Sequence, residues 1–286
     1  MILVTGATGH LGKTTVEHLL KNIPANKIVA FARAENKAQQ LKERGIEIRL
    51  GNFEDTASLD KAMQGIEKVL LISTIDHQRY QQHKNVVDAA KKAGVKHIAY
   101  TGVTLKNVNT SAVKFLMDSH FETEDYIKES GLNYTFLRNS LYAEVIPMYV
   151  GENVFEKGIY LPTANGKVAY ALRREMGEAA ANVLLQNGHG NKTYQITGSE
   201  LYSYQDVANE LSSLSGKRIN YTDADAATFP DKLKEHGISE LRILIASGFS
   251  ADIKSGQYEI VSKDLEELLG RKPATLKESL KEIYSL

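Results

Sequence analysis

The chain has 286 residues, 42% hydrophobic and 24% charged, the proportions of an ordinary globular protein with length for one large domain or two small ones. Its 35 basic residues balance 35 acidic ones, so no global field exists to hold nucleic acid or an anionic membrane, and any anion must be bound locally. Cysteine is absent, which excludes disulfides, thiolate metal sites and a cysteine nucleophile, and no apolar run approaches the ~20 residues of a membrane-spanning helix.

The sequence opens on the apolar run Met1-Ile2-Leu3-Val4 without a basic leader, so a cytoplasmic location is expected. Short apolar runs then alternate with helical patterns. Runs at 2–4, 28–31, 46–50, 69–72, 98–100 and 134–137 predict six strands. Between them Val16/Leu19/Leu20, Ala38/Leu41, Leu59/Met63 and Val86/Val87/Ala90 recur at helical spacing, and Gly94 and Gly131 stand where helices stop. The alternation predicts the α/β class, a doubly wound parallel sheet buried on both faces. The third run alternates apolar and polar residues, so it is expected at an edge.

Past residue 140 the alternation fades into helices at 175–186, 204–214, 265–269 and 276–283 and short strands at 193–196 and 218–221. We expect a nucleotide-binding core over residues 1–140 and a smaller mixed part over 141–286 that packs on it and caps the carboxyl edge of the sheet, where substrates of such folds bind. No proline- or glycine-rich linker separates the two, so a single continuous domain is equally compatible.

Gly6-Ala7-Thr8-Gly9-His10-Leu11-Gly12 follows the first strand and opens a helix. Gly6 permits the sharp turn, Gly9 lets backbone approach a pyrophosphate, and Gly12 lets the helix lie close to the strand. The anion would rest on the helix amino terminus, where unpaired N–H groups and the dipole favour negative charge. This is the context of a Rossmann-type dinucleotide site; the competing reading is a turn that only tightens packing. About twenty residues on, where an acid would hold the ribose 2′-hydroxyl of NAD, stands Ala32-Arg33. A guanidinium suits a 2′-phosphate, so Arg33, with Lys37 as a second charge, favours NADP(H). Were Glu35 to face the ribose instead, NAD would compete.

Together with Ala32-Arg33, Gly51-Asn52-Phe53, Leu71-Ile72-Ser73, the run Val95-Lys96-His97-Ile98-Ala99-Tyr100-Thr101 and Tyr134-Thr135-Phe136-Leu137-Arg138-Asn139, the turn resembles the atypical short-chain dehydrogenases. Within them it is most similar to the NmrA-like branch, which includes NADPH-dependent reductases of quinones and of triphenylmethane dyes. The likeness spans nearly the whole chain, including Lys272-Pro273 and Thr275-Leu276-Lys277-Glu278-Ser279. It implies that Gly6 to Leu11 hold the pyrophosphate, Arg33 the 2′-phosphate and Phe53 the adenine. It further implies that Ser73, Thr74 and Ile75 line the cofactor, that Arg138, Asn139 and Tyr142 border nicotinamide and substrate, and that residues 167–172 close the site. Asn52 departs from the family, which commonly has an acid there, but still offers an acceptor oxygen.

Most short-chain dehydrogenases carry Tyr-x-x-x-Lys after the fifth strand. Here the one match, Tyr80/Lys84, falls after the fourth, on the wrong helix. At the expected place His120 and Glu124 lie one helical turn apart, either a proton donor with its partner or, more commonly for this spacing, a surface pair. A hydride delivered to an ordinary ketone creates a basic alkoxide that needs a positioned acid, so alcohol dehydrogenation is disfavoured. A quinone becomes a stabilised phenolate, and a triphenylmethane cation accepts hydride at carbon without a proton. The expected function is therefore an NADPH-dependent oxidoreductase acting on a quinone-like small molecule, with no nucleic-acid or membrane partner and an oligomeric state the sequence does not reveal. Two alternatives share the fold: a non-catalytic redox sensor, which NmrA-like proteins include, and a sugar-nucleotide epimerase, which would need the missing base. No metal motif is present. Tyr142, Tyr149, Phe155 and Tyr160 fit either a flat apolar pocket or ordinary core.

Overall fold

A computed structural model describes residues 1–286. The first half runs β1 (Ile2–Val4), α1 (His10–Asn22), β2 (Ile28–Ala32), α2 (Glu35–Glu43), β3 (Glu47–Leu50), α3 (Thr56–Ala62), β4 (Lys68–Ile72), α4 (Arg79–Lys92), β5 (His97–Val103), α5 (Lys114–Ser130) and β6 (Asn133–Asn139). The second half adds α6 (Ile146–Val150), α7 (Val154–Lys157), β7 (Ile159–Leu161), α8 (Arg173–Leu185), β8 (Lys192–Ile196), α9 (Tyr204–Ser215), β9 (Tyr221–Asp223), α10 (Phe229–Glu235), α11 (Glu240–Lys254), α12 (Asp264–Leu269) and α13 (Leu276–Tyr284).

Seven strands form one parallel sheet in the order β3-β2-β1-β4-β5-β6-β8, while β7 and β9 pair apart. Winding outward from β1 to β3 and restarting at β4 makes the β1/β4 junction the switch point, whose carboxyl side is the crevice where such sheets bind ligands. Successive strand residues face opposite sides. Leu3, Val29, Leu71, Tyr100 and Phe136 pack under α3, α4 and α5. Val4, Ala30, Leu70, Ala99 and Leu137 pack under α1 and α8. The third strand is indeed the edge, with Glu47 and Leu50 exposed.

The chain beyond residue 140 is built into this layer. It supplies β8 to the sheet and α8 to its face, and α8 lies against α1 so closely that a Cβ on Gly177 would stand 2.1 Å from Thr14 Oγ1. His18 Nε2 meets Asn182 Oδ1 at 3.0 Å, and Asn182 Nδ2 donates to the Leu268 carbonyl, bringing in α12. A separate core under α9, α11 and α13 rests on Val103, the last residue of β5, and on Leu105 just past it.

The predicted strand at 218–221 is displaced. Ile219 is tied back onto α9, its N–H donating to Ser212 Oγ at 2.9 Å, so contact with β7 starts at the Asn220 carbonyl, which accepts from the Ile159 N–H, and the paired register begins at Tyr221. Helices α6, α7, α10 and α11 and strand β7 have no counterpart in the sequence reading. Helix α11 escapes because Leu241, Ile243, Leu244, Ile245 and Phe249 surround it instead of forming one stripe.

Three imidazoles sit inside this framework. Burial pushes His83 down to about 3 and His97 to about 4, and holds His120 well below its ordinary range. The folded chain keeps them neutral, whereas the unfolded chain protonates them below about pH 6.5. Their contribution is therefore complete above that pH and is lost as pH falls toward the folded values, by up to about 1.4 kcal/mol per imidazole per pH unit. Urea midpoints measured from pH 7 to pH 5 are expected to fall, with uptake of more than one proton on unfolding.

Candidate active site

The crevice begins at Thr5. Its hydroxyl donates to the Leu70 carbonyl at 3.1 Å and accepts from the Ile72 N–H at 2.9 Å, fixing the end of β1 against β4. The chain then turns sharply at Gly6, whose φ of +58° is left-handed and suits a residue without Cβ. Gly9 stands before α1 with no side-chain cap, and its N–H bonds the Gly6 carbonyl at 2.9 Å. Gly12 is the tightest position: a Cβ there would lie 2.2 Å from the Gly6 oxygen and 2.7 Å from the Ala7 Cα. The first N–H groups of α1, with Thr8 and His10 at the opening and Leu11 buried beneath, thus face the crevice unshielded, the arrangement a pyrophosphate requires.

At the end of β2 Arg33 is exposed and free of ion pairs, as is Lys37 in the first turn of α2. Glu35 bonds Lys42 at 2.7 Å along the same helix, an exposed pair in which its charge is already matched. These residues fit a 2′-phosphate. Phe53, half-buried, stacks parallel to Phe31 with ring centroids 6.0 Å apart and presents its edge to His83. Asn52 Oδ1 accepts the N–H groups of Glu54 and Asp55, both at 2.8 Å, so the acceptor oxygen that replaces the family's acid is spent on its own turn. Beyond β4 the Ser73 N–H donates to Thr101 Oγ1 at 2.9 Å, Thr74 is half-buried, and Ile75 is 86% exposed.

The residues past β6 divide. Asn139 is buried and Tyr142 half-buried. Burial pushes the Tyr142 hydroxyl up, the Asn139 side chain opposes that, and Arg173 lies 4.2 Å over the ring. Tyr142 pairs with Ala171, which brings the 167–172 segment to this edge. Arg138 points to the other face. It grips Glu124 with both arms, Nε to Oε1 at 2.9 Å and Nη2 to Oε2 at 2.6 Å, and lies 5.3 Å over Phe121.

That clamp also overturns the surface reading of His120 and Glu124. Both are buried, and they serve different partners: Glu124 holds Arg138, while His120 Nδ1 meets the Tyr100 hydroxyl at 2.8 Å. A buried imidazole held far below its ordinary pKa is uncharged near neutrality and is poorly suited to donate a proton. Tyr80 and Lys84 stand on the outer side of α4 against Tyr126 and Asp88, away from the crevice. Tyr149, Phe155 and Tyr160 pair with Phe249, Tyr284 and Phe229 and pack the carboxyl-terminal core.

A polar cleft of about 380 Å³ opens beside the turn, lined by His10, Thr14, Glu144, Arg173, Arg174 and Glu282. A larger one of about 530 Å³ lies behind α8 and α13. Its arginines are already matched, Arg271 to Glu175 and Glu178 and Arg174 to Glu282, so it reads as a latch between elements.

The model of the NmrA-like family matches residues 1–280. The chain is 39% identical to quinone oxidoreductase 2 of Escherichia coli, with 100% of this chain and 99% of that protein aligned. The crystal structure of that enzyme complexed with NADPH superposes with a TM-score of 0.91 over 99% of this chain and 100% of that one. Citrobacter sp. triphenylmethane reductase complexed with NADP(H) is 36% identical and also reaches 0.91, over 99% of this chain and 100% of that one. An NAD(P)H azoreductase of Xenophilus azovorans is 30% identical over 77% of this chain and 76% of its own length.

Two substitutions test the geometry. Gly12→Ala forces backbone apart and is expected to cost about 3 kcal/mol by urea denaturation, with loss of nucleotide binding. Arg33→Asp replaces a bidentate donor with a repelling charge. In fluorescence titrations it should weaken NADPH binding about 100-fold while leaving NADH nearly unchanged.

Proposed function

The chain belongs to the NmrA-like family, and we propose that it is an NADPH-dependent oxidoreductase that passes hydride directly to a quinone or a similarly electrophilic conjugated acceptor. The observation that carries this reading is the full-length match to a reductase whose structure holds NADPH on the same fold. The residues fit that group: a turn in which any Cβ on Gly12 would collide with backbone, an uncapped helix amino terminus, and an unpaired arginine after the second strand.

In this reading the turn from Gly6 to Gly12 receives the pyrophosphate, Arg33 the 2′-phosphate, and Phe53 the adenine. Ser73, Thr74 and Ile75 border the cofactor, and Asn139 and Tyr142, with the 167–172 segment across from them, border the nicotinamide end. Arg138 supports α5 through Glu124 and shapes that wall from behind. NADPH, when bound, supplies the hydride. The protein orients donor and acceptor and excludes water between them, the contributions that dominate when the acceptor needs no strong acid. With His120 neutral and inside, the proton that completes a hydroquinone comes from solvent.

No helix is long and apolar enough to cross a membrane, and the acceptor is proposed to be a small molecule that reaches the carboxyl edge of the sheet. Following NADPH absorbance with purified chain, no added flavin or metal, and benzoquinone, a naphthoquinone or a cationic triphenylmethane dye tests the reading. Acceptor-dependent NADPH loss, slower with NADH, is expected. Tight nucleotide binding without turnover would overturn it in favour of a redox sensor.

A further inference from the structure

One face of α4 ties together the two segments that border the cofactor. Arg79, Gln82 and Asn85 occupy i, i+3 and i+6 and so share a side of the helix. Asn85 Nδ2 donates to the Phe53 carbonyl at 2.9 Å. Gln82 Nε2 donates to Glu54 Oε1 at 3.2 Å, and its Oε1 accepts from the Thr74 hydroxyl at 3.1 Å. Arg79 donates through Nε to the Thr74 carbonyl and through Nη1 to the Leu116 carbonyl at 2.7 Å and Ser119 Oγ at 3.1 Å, both in α5. The Phe53–Glu54 wall, the Thr74 loop and the start of α5 are thereby linked by a continuous row of side-chain bonds.

Arg79 makes packing alone an insufficient account. It is 2% exposed, yet no carboxylate lies within ion-pair reach; its partners are two carbonyls and a hydroxyl from separate segments. A buried guanidinium with no carboxylate hydrogen-bonded to it, and only the longer-range charge of Asp76 in its favour, is costly, and an apolar side chain of similar shape would serve stability at least as well. What a planar fork adds is a fixed spacing between the groups it bridges.

We propose that Arg79, Gln82 and Asn85 are positioning residues of the cofactor site, holding the Phe53 wall and the Thr74 loop at one mutual spacing and passing that spacing to the amino end of α5. The inference rests on the NADPH reading above and concerns binding, which is measured independently of turnover.

Gln82→Glu is nearly isosteric and keeps the acceptor for Thr74, but sets a carboxylate against its hydrogen-bonded partner Glu54 and beside Asp76. It is expected to raise the NADPH Kd about tenfold in fluorescence titration. Adding Glu54→Gln restores a donor to the pair and should return the Kd to within about threefold of the parent. A merely structural role would lower the melting temperature without that reciprocal rescue. Asn85→Asp, at a half-exposed position, is the second variant and should weaken binding by setting a carboxylate against the Phe53 carbonyl. Unchanged NADPH affinity in both variants, or a loss in Gln82→Glu that Glu54→Gln does not repair, overturns the proposal. A parent chain that binds NADPH but fails to consume it would refute the proposed activity and leave the α4 result readable.

Discussion

The architecture depends on the contact between Gly12 and the turn before it. Because the helix backbone runs 2.2 Å, measured from a would-be Cβ, from the Gly6 oxygen, α1 can lie directly behind β1 with its amino terminus at the mouth of the crevice. Moved outward by one methyl group, α1 would take its unpaired N–H groups away from the switch point and would no longer meet α8 at Gly177. One close approach thus governs both an anion-binding dipole and the seam between the two halves of the chain.

Charge is distributed with the same economy. The cationic groups that could meet a dinucleotide, Arg33 and Lys37, stand exposed and unpaired at the rim, while three other charges near the site are neutralised in place, Arg138 by Glu124, Arg173 by Glu144 and Glu35 by Lys42, and buried Arg79 is held by carbonyls and a hydroxyl. Inside, His83, His97 and His120 are uncharged, each with a ring nitrogen on a threonine or tyrosine hydroxyl. The interior therefore sets geometry and the rim sets the anion preference. Such a division suits a reaction whose difficulty is alignment more than proton transfer.

Much of this was legible in the sequence because the signals were local. The six strands, the edge position of β3, the glycine turn and the helix stops at Gly94 and Gly131 each follow from a few adjacent residues, and the left-handed φ at both stops agrees. What escaped depended on tertiary context. His120 and Glu124 carry the spacing of a surface pair, and only the clamp from Arg138, which arrives from a neighbouring strand, shows that both are inside. Helix α11 lacks a periodic stripe because its apolar residues lie all round it, with Leu241 and Leu244 left exposed, and the run before β9 is drawn to α9 at Ile219, which Ser212 holds. Arg79, Gln82 and Asn85 were passed over although their i, i+3, i+6 polar spacing was visible; its meaning lay in which loops that face would meet.

The placement of α8 has a consequence for synthesis. The first 140 residues hold six of the seven strands of the main sheet, but the apolar face that α8 covers stays open until residues 141–185 have been made. At about 5–20 residues per second, that interval lasts roughly 2 to 9 seconds. During it the nascent chain presents a bare apolar surface that includes Leu70, Ala99 and Leu137, joined to an unpaired strand edge at β6, the kind of template that chaperones shield and that recruits other unfinished chains. Cells that overproduce this protein should therefore lose it to aggregation through the speed of elongation past residue 140 more than through any weakness of the finished fold.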